Sequence, residues 1–81
     1  MNNKIFKRIE DGICDYCSNG TTKKVSIVYA RVDADLDICT ITGGNIFNMM
    51  YGISEVIKHM SRKTGAPTSL IIKSISDLLE V

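Results

Sequence analysis

The chain has 81 residues, 44% of them hydrophobic and 23% charged, with one proline and no tryptophan. That is the balance of a folded domain and not of a disordered tail, although a domain this short buries only about 60% of the surface its unfolded form exposes. Ten Lys and Arg against nine Asp and Glu leave a net charge of +1, so no summed field points to nucleic acid or an acidic membrane as the main partner. No apolar run reaches the ~20 residues of a membrane span. The opening MNNKIFKRIEDG carries charges where a signal peptide has its apolar stretch, so a single cytoplasmic domain over residues 1–81 is expected.

From Lys4 to Ser18, Ile5, Phe6, Ile9, Ile13, Tyr16 and Cys17 fall on one arc of a helix, opposite Lys4, Lys7, Asp11, Asp15 and Ser18. Asn19 and Gly20 supply a left-handed stop, while Gly12 inside the helix costs roughly 1 kcal/mol relative to alanine. Residues 24–32 (KVSIVYARV) and 36–42 (LDICTIT) are rich in β-branched residues and flank a polar Asp33-Ala34-Asp35 loop, which predicts a β-hairpin. A three-residue closure sets Arg31 opposite Asp37, Tyr29 opposite Cys39 and Ile27 opposite Ile41. The other face carries Val28, Ala30, Val32, Leu36 and Ile38, so both faces need cover.

After Gly43-Gly44, with Thr42 or Asn45 able to cap, residues 45–64 have helical period and end at Gly65 before Pro67. Ile46, Met50, Ile53, Ile57 and Met60 form one stripe there. Met49 and Val56 widen it on one side, Phe47 and Tyr51 on the other, which is too broad for one contact. A last helix opens at Pro67 or Thr68 and gathers Ile71, Ile72, Ile75, Leu78 and Leu79 on one side. The expected fold class is α+β, in the order αββαα, a two-stranded antiparallel hairpin with three helices. Two strands leave two open edges and are marginal alone, so a homo-oligomer is expected to complete the fold.

Four residues have metal-ligand chemistry: Cys14 and Cys17 in a CxxC, Cys39 and His59. That is the number a closed zinc site needs. The second CxxC of a zinc ribbon is missing, however, and Cys17 belongs to the apolar arc while His59 falls on the polar side of its helix. No cofactor is therefore the first expectation, with Cys17 and Cys39 as small core residues, and zinc the alternative. Asp33, Asp35 and Asp37 alternate as at the start of a calcium loop, but Ile38 and Gly44 stand where that loop needs glycine and glutamate. Thr42, Gly43, Gly44 and Asn45 run from a strand into a helix N-terminus, where free amides favour a small anionic ligand. No nucleophile and base stand at a recognisable spacing, so no enzyme is expected.

Twelve isoleucines, many Lys and Asn, and the order TITGG, then NIFNMMYGISEVIKHMSRKTGAP, then a short last helix resemble the small accessory proteins of low-GC Gram-positive phages and mobile elements, over residues 40–81. The resemblance implies a non-catalytic protein that binds a host or defence protein, or sequesters a small signalling nucleotide. Contact surfaces are then expected at Met49, Met50 and Tyr51 and on the outer hairpin face at Val28 and Ala30, because methionine and aromatic residues adapt to partners and are enriched in interface centres. The alternative of a different class is a zinc-stabilised small regulator that binds nucleic acid.

Overall fold

The computed structural model describes residues 3–20 and 23–80. The elements are helix α1 (Asn3–Ser18), strands β1 (Ile27–Val32) and β2 (Ile38–Gly43), helix α2 (Ile46–Thr64) and helix α3 (Thr68–Leu79), an α+β arrangement in the order αββαα. The chain divides into two compact units, Met1–Met50 and Tyr51–Val81. Among the described residues none is fully buried.

In the first unit, β1 and β2 form a two-stranded antiparallel sheet, and α1 packs against it. The register pairs Arg31 with Cys39, Tyr29 with Ile41 and Ile27 with Gly43. The expected partners of Arg31, Tyr29 and Ile27 were two residues earlier in β2, because a three-residue closure was expected. Instead residues 33–37 form the connection: Asp33 Oδ1 accepts from the amides of Asp35 and Asp37, each at 2.9 Å, and the Asp33 amide donates to the Asp37 carbonyl at 3.1 Å. The aspartate side chain stabilises a wider turn that a bare alternation of residues does not reveal. Leu36 takes a left-handed φ of 62° within it.

A shift by two preserves which residues share a face. Ile27, Tyr29, Arg31, Cys39, Ile41 and Gly43 are half-buried on one side, while the residues between them are exposed on the other. Helix α1 ends as expected, with Gly20 at φ 75°. Its seating differs. The half-buried residues are Phe6, Glu10, Ile13, Tyr16 and Cys17, whereas Ile5 and Ile9 of the expected arc are exposed.

Asn45 caps α2: its Oδ1 accepts from the amides of Phe47 at 2.8 Å and Asn48 at 3.3 Å. In the second unit, α2 stops at Gly65, whose φ is 78° and whose amide donates to the Ser61 carbonyl at 2.9 Å. The Ser61 hydroxyl donates to the Ala66 carbonyl at 2.6 Å, which fixes the turn. Pro67 then precedes α3 and provides no side-chain cap. Ser54, Ile57 and Lys58 of α2 line a cleft together with Thr68 and Ile72 of α3.

Candidate functional site

The side of the hairpin that faces α1 is organised by an ion pair. Arg31 Nε donates to Glu10 Oε2 at 2.8 Å and Nη2 to Oε1 at 3.4 Å, a two-pronged contact whose side chains are only 16% and 14% exposed. Arg31 Nη1 lies 3.8 Å from Asp33 and 3.9 Å from Asp37, so the Arg31–Asp37 contact expected across the turn exists beside a closer one. The guanidinium also stands 5.8 Å from the centre of the Phe6 ring, within cation–π range.

Chiefly through its hydrogen bond from Arg31, Glu10 is held below the ordinary carboxylate value, and the same pair raises Arg31. Loss of solvent raises both Tyr29 and Cys39, with the Glu10 carboxylate adding to it. This cluster therefore has the chemistry of a clamp between helix and sheet. Sequence reasoning missed Glu10, which does not belong to the apolar arc expected for α1. The available signal was its spacing: Phe6, Glu10, Ile13 and Cys17 follow one another at four, three and four residues.

The opposite face of the hairpin is open. Val28, Ala30 and Val32 of β1 and Ile38, Thr40 and Thr42 of β2 are all exposed, and none carries a charge. Their cross-strand pairs are Val28 with Thr42, Ala30 with Thr40 and Val32 with Ile38, and Leu36 in the turn is exposed beside Asp35 and Asp37. Each strand has an outer edge with no further strand on it among the described residues. Of the residues expected at an interface, Val28 and Ala30 belong to this face. Met50 and Tyr51 are exposed on α2, and Met49 is half-buried there.

At the strand-to-helix turn, Asn45, one of the four residues expected to meet an anion, donates its amide to Ser26 Oγ at 3.0 Å, and its side chain accepts from the amides of Phe47 and Asn48 in the first turn of α2. Gly43 is half-buried, Thr42 points to the open face, and Gly44 has a φ of 102° with Ser26 against it. Of the four residues with metal chemistry, Cys14 is an exposed free thiol, Cys17 and Cys39 are half-buried free thiols, and His59 is exposed. Among the described residues, no three His, Cys, Asp or Glu side chains gather to hold a metal ion, and no helix is long and apolar enough to cross a membrane. No protein-family model, curated protein or solved structure matches the chain.

Proposed function

We propose that the chain is a non-catalytic interaction protein that docks an apolar, uncharged surface of a protein partner on the open face of its hairpin. The observation that carries this reading is the uncharged face formed by Val28, Ala30, Val32, Ile38, Thr40 and Thr42. β-branched side chains lose little entropy when covered, and the unpaired edges beside them can accept a further strand. In the setting that the resemblance to phage accessory proteins implies, the partner is a host or defence protein. A small signalling nucleotide is the less favoured ligand, because the amides of Asn45, Phe47 and Asn48 already have acceptors.

The test has two arms. In the first, a partner captured on the wild-type chain is purified and binding is reconstituted, then repeated with Val32→Lys and Ile38→Lys together. Loss of binding with unchanged circular dichroism supports the reading, and a partner retained at full affinity removes it. In the second arm, calorimetric titration with nucleotides and cyclic dinucleotides yields no heat if the reading holds, and saturable heat transfers the function to a small ligand.

A further inference from the structure

We draw no further inference here: the strongest candidate, the hairpin tip at which Leu36 stands exposed with a left-handed φ of 62° between Asp35 and Asp37, carries nothing, because nothing in the structure shows what covers it.

Discussion

Arg31 carries five N–H donors and no acceptor, so wherever its guanidinium is placed it collects oxygens. In the first unit it collects Glu10, then Asp33 and Asp37. Because Glu10 titrates in the folded chain below its free value of 4.5, its contribution to stability is complete above that value and is lost as pH falls through the folded one. Glu10→Gln is therefore expected to lower the thermal midpoint at neutral pH and to flatten its decline on acidification, as melting curves at a series of pH values would record; parallel declines in the two proteins would contradict the pairing. At Gly44 the constraint is steric. With φ at 102°, a Cβ would lie 2.8 Å from Ser26 Cα, so Gly44→Ala is expected to cost about 1–3 kcal/mol in chemical denaturation. Ser26→Ala should not rescue it, because the obstruction includes the Ser26 backbone. Loss of ligand binding in a Gly44 variant therefore has to be read beside its folding.

At the scale of elements, α1 places Lys4, Lys7 and Arg8 in its first turns and has no basic residue in its last, the reverse of what the helix dipole favours. It holds its place by contact with the hairpin, not by intrinsic helicity. Gly12 weakens it further, and nothing lies within 4 Å of the space that a side chain there would fill. Gly12→Ala is thus expected to stabilise the chain by about 1 kcal/mol, measured by urea denaturation, and destabilisation would mean that the position is covered. The span of α1, the stop at Gly20 and the Gly65 stop were legible in the sequence, and the cap of α2 was narrowed to Thr42 or Asn45, because each depends on residues close along the chain. The seat of α1 was not. The apolar arc gave a direction centred between Ile9 and Ile13, but Glu10 turns the helix toward Arg31, a residue 21 positions away.

For the whole molecule, the absence of any fully buried residue among those described leaves little to offset the chain entropy lost on folding. Stability drawn from association depends on mass action. The thermal midpoint is accordingly expected to rise with protein concentration, by several degrees across a hundredfold dilution series for a domain of this size. Calorimetry or circular dichroism at fixed buffer would read it, and a midpoint independent of concentration would mean that folding is complete within one chain.

The sequence by itself determined the order αββαα, which residues of each strand share a face, and the helix stops at Gly20 and Gly65, and it narrowed the cap of α2 to Thr42 or Asn45. Periodicity, capping and left-handed glycines are properties of neighbours along the chain. Only the tertiary structure decided the hairpin register, since closures of three and five residues preserve the same faces and the Asp33 carboxylate selects the longer. It alone decided that α1 covers the face of Arg31 and Cys39 and leaves that of Val28 and Ala30 open. A broad apolar pattern states how much surface must be covered, but the partner that covers it is chosen by side chains distant in sequence, here Glu10 and Arg31.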